Sequence, residues 1–134
     1  ALRDNPACDG VVLDLRGNRG GLLSQAVAVA SAFLPGGTVA LTAGRHPDAA
    51  RLWQASGPDL TEGLPVVVLV DGRSASAAEV VAAALGDRGR AVVVFFGFTQ
   101  CPDVCPTTLA ELAAVKQALG PDGARLQTVF VTVD

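Results

Sequence analysis

The chain of 134 residues contains no tyrosine and no methionine, and only one histidine (His46), one lysine (Lys116) and one tryptophan (Trp53). Each scarcity removes a class of chemistry. A metal site built on two histidines is excluded outright. A mechanism with an imidazole base must use His46, and one with an amine base must use Lys116. Three cysteines, Cys8, Cys101 and Cys105, are too few for a disulfide-built scaffold. Ten cations against thirteen anions, a net charge of -3, give no general attraction to phosphate, so nucleic acid is not an expected partner. Apolar runs such as Ala91–Phe96 fall far short of the roughly 20 residues that cross a bilayer, so no membrane span is expected. No basic start leads into an apolar run near residue 1, and a signal peptide is not expected either.

What is present points to a folded domain. Half of the residues are apolar and 17% are charged, which excludes a disordered tail, and the length suits about one domain. Gly10–Leu15 is a β-branched run ending in the turn-rich RGNRGG, a strand and then a tight loop. Leu22–Leu34 carries good helix formers and stops at Pro35-Gly36-Gly37. Thr38–Thr42 reads as a second strand, and this β-α-β order predicts a right-handed parallel crossover. Residues 44–64 are polar and broken by proline and glycine; within them Ala50–Ala55 fits either a short edge strand or a helical turn.

Pro65–Val70 (PVVVLV) is apolar on both faces, as a covered central strand must be. A helix is predicted from about Ala75 to Leu85 with Ser74 as its N-cap. Ala91–Phe98 is another apolar strand, Pro106–Leu119 a helix between a proline start and a Gly120-Pro121 stop, and Leu126–Val133 a last strand. The alternation predicts an α/β fold, a three-layer αβα arrangement around a mostly parallel sheet of about five strands. An incomplete sheet leaves unpaired edges, so self-association through them is expected.

The segments VVLDLRGNRGGLL, AVAVASAFLPGGTVALTAGR and LPVVVLVDGRSASAAEVVAAALGDRGRAVVV, over about residues 10–94, resemble the core of the C-terminal processing (tail-specific) serine proteases. The resemblance implies a ClpP/crotonase-like segment, a peptide substrate and a Ser-Lys mechanism. It makes Ser76 the nucleophile and Gly20 and Gly21, helped by Ala77, the oxyanion amides. A serine at a helix N-terminus faces free N–H groups and the positive end of the dipole, which suits a developing oxyanion. Taken without the resemblance, the same serines cap a helix and the glycines make a turn. The sequence departs from the family at the base. The lysine-bearing loop after the strand is missing, Cys101 stands at the lysine's place, and Lys116, in mid-helix and between Leu109 and Leu112 on the helical wheel, is the remaining candidate. Arg19 replaces the family's usual proline and Ala78 its usual serine. A neutral serine without a base is a poor nucleophile.

From about residue 93 the text changes. FFGFTQCPDVCPTTLAELAAVKQALG followed by LQTVFVTVD resembles the SCO/SenC copper chaperones, which have a thioredoxin-like fold. The resemblance implies copper held by Cys101 and Cys105 with a histidine farther downstream, beyond Asp134. Two thiolates four residues apart at the mouth of a helix can be acidified and can hold a soft ion such as Cu(I). His46 would add a third ligand only if the fold brought it near, and the plain alternative is a pair of free or oxidised thiols. Both families are typical of the cell envelope. The join falls inside Ala91–Phe98, where each family uses a buried parallel strand. The expectation is one composite domain, 1–94 protease-like and 95–134 chaperone-like: an engineered or generated chimera without evolved activity, with natural fusion as the other origin. The functional alternatives are a serine endopeptidase and a copper or thiol module.

Overall fold

A computed structural model describes residues 7–46, 50–97, 110, 113, 114, 117 and 128–132. In chain order its elements are β1 (Val11–Asp14), α1 (Leu23–Ser31), β2 (Gly37–Thr42), β3 (Arg51–Ala55), β4 (Val66–Asp71), α2 (Ala77–Asp87), β5 (Ala91–Gly97) and β6 (Thr128–Thr132). Four strands form one parallel sheet in the order β1-β4-β5-β6. The fold is α/β with a parallel sheet, as the alternation of apolar runs and helix formers predicts.

The continuous apolar runs of β4 and β5 resolve into two faces. Val66, Val68 and Val70 lie beside Ala91, Val93 and Phe95 in register, and these six side chains are buried. Ala26 and Ala30 of α1 and Ala78, Val81, Ala82 and Leu85 of α2 join them in the core. Alanines at these positions let the helices approach closely, and Val68 and Leu85 lose all solvent contact. The opposite face carries Val67, Leu69, Val92, Val94 and Phe96, all half-buried. The helix expected at Pro106–Leu119 lies outside the described residues, apart from Ala110, Ala113, Ala114 and Gln117. Those four are helical and exposed, and their spacing puts them on one face.

The parallel crossover expected for Thr38–Thr42 does not form. β2 pairs antiparallel with β3, Thr42 opposite Arg51, in a separate two-stranded ribbon. The place beside β1 goes to β4, where the Val11 amide donates to Pro65 O at 2.8 Å. The sequence of β2 explains the difference. GTVALT mixes threonine with apolar residues and buries only Val39 fully, which suits a half-exposed ribbon and not a strand covered on both sides. Ala50–Ala55, open between strand and turn, is strand β3 from Arg51. Its Trp53 indole donates to Thr42 Oγ1 at 3.3 Å, and the Arg51 guanidinium lies 4.1 Å from the Trp53 ring. The parallel sheet therefore holds four described strands, where about five were expected.

Asp87, the last residue of α2, has a buried carboxyl oxygen with no hydrogen-bond partner among the described residues, and burial raises its pKa. The negative end of the helix dipole works in the same direction. A carboxyl with a raised folded pKa favours folding while it is protonated, and that contribution is lost as pH rises through the folded value. Asp87→Asn is expected to stabilise the chain at pH 7, because the amide carries no charge to desolvate at the negative end of the helix. Urea melts should show the gap closing as the pH falls and the wild-type carboxyl gains its proton.

Candidate functional site

Ser76, Gly20, Gly21 and Ala77 lie beyond the carboxyl ends of β1 and β4, where open α/β sheets place their ligands. Two loops meet there, and side chains lock them together. Asp71, at the end of β4, accepts the Gly17 amide at 2.9 Å and the Arg73 amide at 3.0 Å, and pairs with the Arg73 guanidinium at 3.1 Å. Burial pushes the Asp71 carboxyl up, but these hydrogen bonds outweigh it and hold it below the usual range. Ser74 Oγ donates to Leu15 O at 2.8 Å and accepts the Asp71 amide at 3.0 Å. Ser74 was the expected N-cap, yet its hydroxyl is spent tying β1 to β4, and the cap is Ser76. Nearby, hydrogen bonds from Arg16 hold the Asp14 carboxyl down to about 2, and the Arg16 guanidinium sits 5.3 Å from the Phe96 ring.

Ser76 stands at the turn into α2 with φ 55 and ψ -121, a conformation that residues with a Cβ rarely adopt. Such a backbone costs on the order of 1–3 kcal/mol and persists only where its surroundings impose it. Glu79 is one restraint: its carboxylate accepts the Ser76 amide at 2.6 Å. Gly20 is the other. With φ +85, its Cα is pressed against the turn so closely that a Cβ would lie 2.5 Å from Ala75 O, 2.6 Å from Ala77 N and 2.9 Å from Ser76 Cβ.

The structure thus brings together Ser76, Gly20, Gly21 and Ala77, the four residues the protease resemblance selects. It separates the glycines by role. The Gly20 amide donates to Asn18 Oδ1 at 2.8 Å, so it is occupied. The amides of Gly21 and Ala77 have no acceptor among the described residues. Gly21, Ser76 and Ala77 line one cleft of about 580 Å³, with Leu23, Val80 and Ala83 as its apolar wall. A smaller recess of about 150 Å³ lies behind Gly20 and Gly21.

Lys116, Cys101 and Cys105 are outside the described residues, and His46 is exposed in the bend after β2. Among the described residues no three His, Cys, Asp or Glu side chains cluster to hold a metal, and no helix is long and apolar enough to cross a membrane. Asn18 and Glu79 were not foreseen. Glu79 had a signal, because Ser76-x-x-Glu79 is the spacing of a capping box.

Comparison with known proteins agrees with both parts of the chain. The sequence profile of peptidase family S41 matches residues 1–95, and that of SCO1/SenC matches residues 77–134. Their overlap, 77–95, contains α2 and most of β5. The carboxy-terminal-processing protease of Bartonella bacilliformis is 39% identical over 132 residues, which is 93% of this chain and 30% of that protein. The chloroplastic carboxyl-terminal-processing peptidase 1 of Arabidopsis thaliana is 44% identical over 84 residues, 62% of this chain and 17% of the relative. The mitochondrial SCO2 homolog of Mus musculus is 49% identical over 49 residues, 35% of this chain and 19% of the relative. A solved photosystem II D1 C-terminal processing protease superposes with a TM-score of 0.60 at 35% identity, over 69% of this chain and 24% of that one. The chain spans less than a third of each of these relatives. With the match to the first profile running from residue 1 to residue 95, followed by a part similar to SCO1/SenC, the chain belongs to peptidase family S41.

Proposed function

We propose that this chain is an engineered chimera, one composite α/β domain with residues 1–94 from a processing peptidase and 95–134 from a copper chaperone. Its own chemistry stops at a half-built serine-peptidase site. Ser76 is the nucleophile, the amides of Gly21 and Ala77 receive the oxyanion, and a peptide is the substrate class the site accommodates. The base is missing. Cys101 stands where processing peptidases carry their lysine, and Lys116 belongs to a different segment of the sequence. The observation that carries this reading is the strained Ser76, held at φ 55 at the head of α2 against Gly20.

Such a site reacts once and does not turn over. With a fluorophosphonate probe, Ser76 Oγ attacks phosphorus, the O–P bond forms as the P–F bond breaks, fluoride leaves and the hydroxyl proton passes to water. The oxyanion amides still stabilise the charged transition state, and without a base the reaction is slow. Wild-type protein is expected to take up one probe slowly, Ser76→Ala none, and Lys116→Met as much as wild type, with no peptide turnover. Loss of labelling in Lys116→Met would make Lys116 a relocated base and the chain a working endopeptidase. An unlabelled wild type would end the serine-site reading.

The similarity of residues 77–134 to SCO1/SenC favours a second reading, a Cu(I) or thiol site at Cys101 and Cys105. Soft thiolates suit Cu(I), and the ion would be supplied from solution with both cysteines deprotonated. Titration with Cu(I) is expected to show one ion bound by the reduced chain and none by Cys101→Ser/Cys105→Ser. Equal binding by both proteins would remove the cysteines from the reading.

A further inference from the structure

Asn18 carries a role that no motif assigned to it. Its side-chain oxygen accepts the Gly20 amide at 2.8 Å, and its main-chain oxygen accepts the Ala75 amide at 2.9 Å. Gly20 leads directly into Gly21, and Ala75 leads into Ser76 and Ala77. One residue therefore grips both strands of chain that present the free amides. Its own amide donates to Leu15 O at 3.1 Å, which fixes Asn18 to the end of the first strand segment.

We infer that Asn18 is a positioning residue for the serine site: it commits the Gly20 amide so that the Gly21 amide, and not Gly20's, faces the reacting atom beside Ala77. This inference rests on the reading of Ser76 as a nucleophile. Three of the five residues from 17 to 21 are glycines, and a glycine-rich loop has little intrinsic preference for one orientation of its peptide planes. Directional hydrogen bonds must supply that preference. The Asp71 bond to the Gly17 amide fixes the start of the loop, and the Asn18 bond fixes its end. The contact of Gly20 with Ala75 and Ala77 sets where its Cα lies, but a peptide plane can still rotate about a fixed Cα. The Asn18 side chain prevents that rotation by forming a two-residue turn onto the Gly20 amide.

The test compares second-order labelling rates with a fluorophosphonate probe in wild type, Asn18→Ala and Asn18→Asp, with thermal melts alongside. Removing an oxyanion donor slows an acyl-type reaction about 100-fold or more, and loosening one is expected to slow Asn18→Ala about tenfold. Aspartate makes the same turn onto the amide two residues on, so Asn18→Asp is expected to stay within about threefold of wild type. A residue that only stabilised the fold would slow labelling in proportion to the loss of melting temperature, and Asp would not rescue it. Labelling of Asn18→Ala as fast as wild type, or faster, overturns the inference, because the released Gly20 amide would then itself serve as a donor. Equal slowing in Ala and Asp overturns it as well. An unlabelled wild type refutes the serine-site reading itself, which separates that failure from failure of the Asn18 role.

Discussion

Replacing Gly20 with alanine is expected to remove at least 99% of the labelling rate at Ser76, about a 100-fold loss, and to lower stability by roughly 2–3 kcal/mol. Two effects combine. At φ +85 a Cβ meets its own backbone, which costs on the order of 1–2 kcal/mol. The new methyl would also sit less than 3.0 Å from Ala75 O, Ala77 N and Ser76 Cβ. The first two are backbone atoms, which cannot rotate away as the end of a side chain can. The turn at Ser76 must therefore shift, and with it the Ala77 amide. Gly21 provides the control. A Cβ there meets no atom of the described residues within 4 Å, and its φ lies outside the left-handed range, so Gly21→Ala should fold like wild type. Labelling rates and thermal melts of the two variants read both effects. A Gly20→Ala protein labelled at the wild-type rate would show that the close packing of Gly20 on Ser76 has no part in the chemistry.

The contrast between adjacent glycines marks the limit of what sequence could supply. PVVVLV and AVVVFF announce buried parallel strands because both faces are apolar, and β4 and β5 sit in the middle of the sheet as those runs require. The meeting of Gly20, Gly21, Ser76 and Ala77 was legible too, because SASAAE and RGNRGG resemble a peptidase motif that brings such residues together. What was not legible depends on which partner each group finds. Thr38–Thr42 could have extended the parallel sheet or turned into a ribbon, and the choice rests on β3, whose own sequence read equally as a turn. Ser74 and Ser76 are both good N-cap residues. Only the carbonyl of Leu15, 59 residues away in sequence, decides that Ser74 is a strut and leaves Ser76 to head the helix. The roles of Gly20 and Gly21 likewise diverge because one amide lies within reach of Asn18 Oδ1, a distance no periodicity encodes.

Loss of the Arg90 side chain should cost the fold heavily. Its guanidinium donates to Phe33 O at 3.2 Å and Leu64 O at 3.0 Å, hydrogen-bonds Thr61 Oγ1 and pairs with Asp59 at 3.1 Å. It thereby joins the end of the first helix, the 59–64 turn and the entry to β5. Both charged side chains are more than four-fifths buried, and Thr61 is almost completely buried. Arg90→Met keeps most of the apolar stem but leaves two carbonyls without this donor and the Asp59 carboxylate without its cation. Breaking a buried pair from one side costs about 3–5 kcal/mol, a large part of the stability of a chain this size. Asp59→Asn/Arg90→Met should recover part of that loss, because no uncompensated charge remains. The pair also sets an acid limit. Burial pushes the Asp59 carboxyl up, but hydrogen bonds from Thr61 and Gly63 and the Arg90 charge outweigh it and hold it below the usual carboxylate range. A lowered folded pKa gives stability that is present above the unfolded value and lost as pH falls through the folded one. Urea midpoints of the wild type should therefore drop below about pH 4, and those of Asp59→Asn should lack this part of the fall. An unchanged acid slope in Asp59→Asn, or an Arg90→Met protein as stable as wild type, would mean that packing alone holds the 59–64 turn against the helix end.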